Sequence, residues 1–171
     1  MQHIKKNKYL LCVALLLIGV LLISTLVLKR STYEYFIREP EIFKEVAFEL
    51  IYEYPTLEKA IVIDRTANMD EIVVDVNYSI PTDIAEDILL IFKKTNCDAI
   101  VLSLSALGNP YCSFETFGFE AVNGIAYVGK NSDPKTFDPI FSYYVTECVF
   151  LEAGWIRFEH LTAEGEKRIP G

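Results

Sequence analysis

The chain has 171 residues, 51% hydrophobic and 23% charged, with Gly 8 and Pro 7, a composition that fits one domain. It excludes a disordered, collagen-like or low-complexity chain, and four cysteines are too few for a disulfide-dense miniprotein. Charge is unevenly placed: all 24 acidic residues follow residue 30, whereas Lys5, Lys6, Lys8, Lys29 and Arg30 precede Ser31. Beyond residue 30, 11 basic residues face 24 acidic ones, a net −13.

Tyr9 to Leu28 is a 20-residue run without a charge. At about 1.5 Å per residue it reaches roughly 30 Å, the thickness of a bilayer core. A soluble core helix would carry a polar stripe, and this run has none. It is also longer than a secretory h-region and ends in Leu-Lys-Arg without an A-x-A-like site. Cys12 lies near its start, where a lipoprotein signal would not place it. The expectation is therefore a retained signal-anchor. Lys5, Lys6 and Lys8 before the span balance Lys29, Arg30 and Arg38 after it. The amino terminus tips the balance towards a cytoplasmic tail and an extracytoplasmic domain.

Residues 29–39 read as a juxtamembrane collar, with Tyr33, Tyr35 and Phe36 at headgroup depth. Pro40 suits the first position of a helix, and Phe43, Val46, Ala47, Leu50 and Ile51 recur at helical spacing up to Tyr54-Pro55. Residues 58–66 and 71–79 alternate as a hairpin, apolar on one face and wet on the other. Asp83 and Glu86 resemble a capping box, and Ile84, Ile88, Ile91 and Phe92 follow as a helical stripe. Ala99 to Leu104 is continuously apolar and reads as a central strand. Residues 113–122 and 125–130 are expected to pair around the Asn123-Gly124 turn. Tyr143–Phe150 and Trp155–His160 are expected to pair through Glu152-Ala153-Gly154.

This order predicts an α+β fold: one two-layer domain with a largely antiparallel sheet of about six or seven strands and two helices on one face. The divisions are a basic tail (1–8), the transmembrane helix (9–28), the collar (29–39), an acidic soluble domain (40–165) and a C-terminal tail (166–171).

Chemistry is thinly signalled. Of two histidines, His3 is in the tail, so His160 is the one available to the domain, expected to face solvent at a strand end. A Cys-His site would need Cys97, Cys112 or Cys148 beside it. The same three cysteines leave room for one disulfide in an exported domain. No C-x-x-C, H-E-x-x-H, EF-hand or phosphate-loop motif occurs, and no cofactor is implied. Asp64, Asp70 and Asp75, with Glu71, Asp83, Glu86 and Asp87 nearby, are the weak candidate cation ligands, and a solvated acidic face is the better explanation, because carboxylates alternating with apolar residues are what a half-exposed hairpin needs. No pair of carboxylates stands out as glycosidase-like. Asn77-Tyr78-Ser79 matches a glycosylation sequon, a match that chance alone supplies and that lies inside an expected strand, and Cys12 is close enough to the cytoplasmic boundary for palmitoylation, although packing within the span is the reading kept for it.

A charge of −13 disfavours nucleic acid and favours a basic partner. The expected function is a membrane-anchored, non-enzymatic interaction domain, of accessory, inhibitor or immunity type. Its partners are the bilayer, through the N-terminal helix, and a protein outside it. Contact area would come from among Tyr111, Phe114, Phe117, Phe119, Tyr143 and Tyr144. A tethered small-ligand or cation sensor and an anchored hydrolase are the alternatives.

Overall fold

The computed structural model describes residues 31–66, 72–74, 78–105, 107–130 and 144–162. The chain divides after Arg30, and the architecture that follows is that of the unit beginning at Ser31. The apolar run Tyr9–Leu28 lies outside the described residues, as do Asp70, Asp75, Asn77 and Tyr143. No helix among the described residues is long and apolar enough to cross a membrane.

Three helices and a seven-stranded antiparallel sheet make up the described unit, an α+β fold. Helix α1 (Thr32–Arg38) starts where Ser31 Oγ accepts the Glu34 N–H at 3.1 Å, satisfying one of the orphan donors of the first turn. Thr32, Tyr35 and Phe36 are buried, so the collar expected at headgroup depth is instead part of the domain. The physical reason is ring packing. Phe36 meets Trp155 at 4.8 Å and Phe43 at 5.5 Å, contacts worth about 0.5–1.5 kcal/mol each beyond their area.

Helix α2 (Pro40–Glu53) opens on Pro40, whose missing N–H costs nothing there. It buries Phe43, Val46, Ala47 and Leu50, the predicted stripe, while Ile51 is half-buried. Helix α3 (Thr82–Lys94) buries Ile84, Ile88, Ile91 and Phe92, as their spacing predicts. The capping box does not form: Pro81 is the N-cap and no side chain caps the helix. The helix begins earlier than that motif requires, leaving Asp83 in the first turn, where it still favours the helix dipole.

The strands are β1 (Ile61–Arg65), β2 (Ile72–Val74), β3 (Ala99–Leu104), β4 (Pro110–Phe117), β5 (Ala121–Tyr127), β6 (Tyr144–Phe150) and β7 (Trp155–Leu161). Their spatial order is β2-β1-β3-β4-β5-β7-β6. The first and third predicted hairpins form, as β1–β2 and β6–β7, and β3 is interior as expected.

The middle hairpin forms in a different place. Strands β4 and β5 pair Phe117 with Val122 and turn through Gly118-Phe119-Glu120, so Asn123-Gly124 lies inside β5. A glycine is needed there for closeness. A Cβ on Gly124 would collide with the carbonyl oxygen of Phe114 on the neighbouring strand.

Register sorts the side chains into two faces. On one, Ile61, Ile63, Ile100, Leu102, Cys112, Phe114, Ile125 and Trp155 form a single core with the buried residues of all three helices. On the other, Tyr111, Val122, Ala126, Val128, Ile156 and Phe158 form a second cluster. A wet second face, expected from the first hairpin, therefore does not extend to the central strands.

Candidate functional site

Helix α2 turns its remaining residues to solvent. Glu41, Glu45, Phe48, Glu49, Tyr52 and Glu53 are all exposed, and their spacing sets them along one side of the helix. Phe48 is 45% and Tyr52 81% exposed, unusual for large rings on a charged stripe. Phe48 is held edge-on against Tyr127 at 4.9 Å, which fixes its ring without covering it. Lys44 is drawn to Glu41 at 2.9 Å and lies 3.9 Å from Glu152. The result is an acidic face with two aromatic rings in it. The sequence marked the inner stripe of this helix; the outer rings gave no comparable signal, because one exposed aromatic looks like any other.

Beside α1, two clefts meet at Tyr33. The first, about 340 Å³, is lined by Tyr33, Asn123, Glu147, Arg157 and Glu159 with the first residues of α1. Arg157 is fixed in it by Glu147 at 2.8 Å and by the face of the Tyr33 ring at 5.2 Å. The second, about 270 Å³, is more apolar, with Phe36, Ile37, Pro40 and Leu151 in its wall. Among the described residues lining the first cleft, one arginine faces two carboxylates, a lining suited to an amine rather than an anion.

The predicted site residues are not brought together. Asp64 is exposed on β1, while Asp70 and Asp75 are outside the described residues. Among the described residues no group of three or more His, Cys, Asp and Glu is placed to hold a metal ion. Cys97, Cys112 and Cys148 are not joined in a disulfide, unlike the possible pairing expected from the sequence. Cys112 sits opposite Leu102, five residues and about 16 Å along β3 from Cys97. Cys148 is three strands from Cys112, about 14 Å, and a disulfide needs Cα atoms within about 7 Å. Cys97 and Cys112 are wholly buried and face the helices, and desolvation pushes both thiols up. A thiol reagent applied to the folded chain is expected to modify neither; labelling of either one without denaturant would contradict this core.

His160 is not solvent-facing. It is 1% exposed, with its ring 5.2 Å from Phe158. Desolvation lowers its pKa to about 4, so it is neutral at neutral pH. Of the aromatics expected to make contacts, Tyr111 and Phe114 are core, whereas Phe117 and Phe119 are exposed.

Glu115 was not singled out by the sequence. It is fully buried on the face opposite the helices, where Ser113 Oγ donates to Oε1 at 2.6 Å. Burial raises its pKa to about 7, and Oε2 has no hydrogen-bond partner among the described residues. Its one legible signal was a charge inside a strand that is otherwise uncharged.

No protein-family model, curated protein or solved structure matches the chain, and its function has to be read from these residues themselves.

Proposed function

We propose that this chain is a single-pass, membrane-anchored interaction domain, not an enzyme, which holds a basic protein partner at the extracytoplasmic face. The observation that carries the reading is the outer face of α2, where Phe48 and Tyr52 stand among Glu41, Glu45, Glu49 and Glu53. Carboxylates steer and orient a cationic partner, and rings that are already ordered supply contact area at little entropic cost. The anchor is the run Tyr9–Leu28, and the two-layer arrangement of helices over one sheet face leaves α2 open to an approaching protein. Tethering adds to affinity by raising the effective concentration of a weak binder near a membrane-bound partner.

The test is a photo-crosslinking residue in place of Tyr52 in the full chain in cells. The expected result is one adduct of discrete mass that disappears when Glu45 and Glu49 are both changed to Lys. An adduct indifferent to that reversal, or none, would defeat the reading. Orientation is checked separately with an impermeant maleimide on Glu58→Cys, since Glu58 is exposed and Cys97 and Cys112 are buried. Labelling in intact cells is expected; labelling only after lysis would put the domain in the cytoplasm.

The cleft at Tyr33 favours a second reading, a tethered sensor of a small amine. Its carboxylates Glu147 and Glu159 flank a ring already used by one cation, Arg157.

A further inference from the structure

We propose that the outer face of α2 receives an amphipathic helix of the partner, one whose basic side chains recur at every fourth residue. This rests on the interaction-domain reading above and specifies the form that its partner takes.

The face is ruled into two rows. Glu41, Glu45, Glu49 and Glu53 follow one another at four-residue spacing, about 6 Å apart along the axis. Lys44, Phe48 and Tyr52 form the adjoining row at the same spacing. Rows of this pitch are the ridges by which helices interlock, and the groove between two of them accepts a matching ridge. Acids and rings are exposed while Phe43, Val46, Ala47 and Leu50 are buried on the inner side, so the groove opens to solvent.

The acid row works against the helix that carries it. Like charges four residues apart repel, and Glu53 ends the helix where its dipole disfavours an anion. The last turn has no basic residue. Among the described residues, only Glu41 of the four acids is in an ion pair, with Lys44 at 2.9 Å. A stripe that destabilises the free chain and has no internal counter-charge is relieved by cations from outside. A ridge of Lys or Arg at four-residue spacing brings them to successive acids of the row.

The rings are prepared for the same contact. Phe48 meets Tyr127 at 4.9 Å, and Tyr127 meets the buried Trp155 at 5.4 Å. The Phe48 ring therefore stands at the outer end of a line anchored in the core. Tyr52 lies one turn further along α2 and is 81% exposed. Aliphatic stems of the basic side chains, and apolar residues beside them, cover both rings. A helix suits this face better than a strand. The backbone groups of α2 are used within the helix, so an extended segment would find no partners there for its own N–H and C=O groups. A helical partner satisfies its own.

The test is the fluorescence anisotropy of three labelled alanine-based peptides, titrated with the full chain in non-ionic detergent micelles. Each is about 16 residues long, enough to be helical. The first carries Arg at four-residue spacing with Leu in the next row. The second has the same composition with its Arg dispersed around the helix, and the third is the first with two central residues changed to Pro. The chain carrying Glu45→Lys and Glu49→Lys together supplies the background. The first peptide is expected to bind at least about tenfold tighter than either of the others, and about fivefold more weakly to Tyr52→Ala than to wild type. Glu49→Gln and Glu53→Gln should also weaken it while raising the urea midpoint of the free chain, a combination that a damaged fold would not give. Equal binding of the first peptide and either control overturns the proposal, as does indifference to Tyr52→Ala or no binding at all. A charge-dependent adduct in cells from the crosslinker in place of Tyr52, without any peptide preference, removes only this inference. A missing adduct removes the interaction-domain reading as well.

Discussion

Replacing Gly124 with valine is expected to cost about 3 kcal/mol or more, enough to leave much of the chain unfolded. Gly124 lies in β5 opposite Glu115, where the two backbones approach so closely that even a methyl group meets the Phe114 carbonyl oxygen. The colliding atom is backbone, so no rotamer change relieves it, and β4 and β5 would have to part. These strands sit at the centre of the sheet between β3 and β7, and both core clusters draw residues from them. Gly108 supplies the control. It has φ +77° but open space around it, so Gly108→Ala should cost only about 1 kcal/mol, the price of a left-handed conformation. Urea unfolding of the full chain in detergent, followed through the single Trp155, measures both. If Gly124→Val costs no more than Gly108→Ala, the register between β4 and β5 is wrong.

That glycine also shows where sequence reading stops. Asn-Gly is a strong local turn signal because both residues tolerate positive φ. Here Gly124 is not among the glycines with positive φ, and the turn starts six residues earlier, at Gly118. Tertiary packing overrides the local preference: placing the turn at Gly118 lets Phe114 and Ile125 pair on one face and Glu115 meet Gly124 on the other. Helical stripes were legible because 3.6-residue spacing is a property of the segment alone; Ile84, Ile88, Ile91 and Phe92 needed no partner to be recognised. The collar was not. Tyr35 and Phe36 look the same in sequence whether a bilayer or Trp155 covers them, and only the fold chooses. His160 and Glu115 failed for a related reason. An alternating strand predicts a wet face, but these central strands are buried on both sides, and polar residues on the second side are buried with it.

Those two buried groups set the pH dependence, with opposite signs. Glu115 has a folded pKa of about 7 against an ordinary 4.5, because burial disfavours the carboxylate. Its folded form therefore holds the proton more tightly, and stability falls as pH rises from about 4.5 to about 7. The full loss is about 3 kcal/mol, from the difference between the two values at 1.36 kcal/mol per pKa step. His160 works the other way. Its folded pKa is about 4 against 6.5, so the unfolded chain binds the proton more readily, and stability is lost as pH falls from 6.5 to about 4. Across the shared window the slopes oppose each other, and the wild-type chain should show a nearly level stability between about pH 4.5 and 6.5. Single variants should uncover each slope. Glu115→Gln is expected to gain about 2 kcal/mol over wild type at pH 8, less than the full amount because the amide inherits the position of Oε2, which lacks a partner among the described residues. Its stability should climb from pH 4.5 to 6.5, now that only His160 titrates. His160→Phe should do the reverse, falling steadily over the same interval. Urea midpoints at closely spaced pH values read all three chains, and parallel profiles for wild type and Glu115→Gln would mean that the buried carboxyl does not carry this slope. A level wild-type profile alone would not separate two cancelling groups from two silent ones, which is why the variants, and not the parent, decide the question.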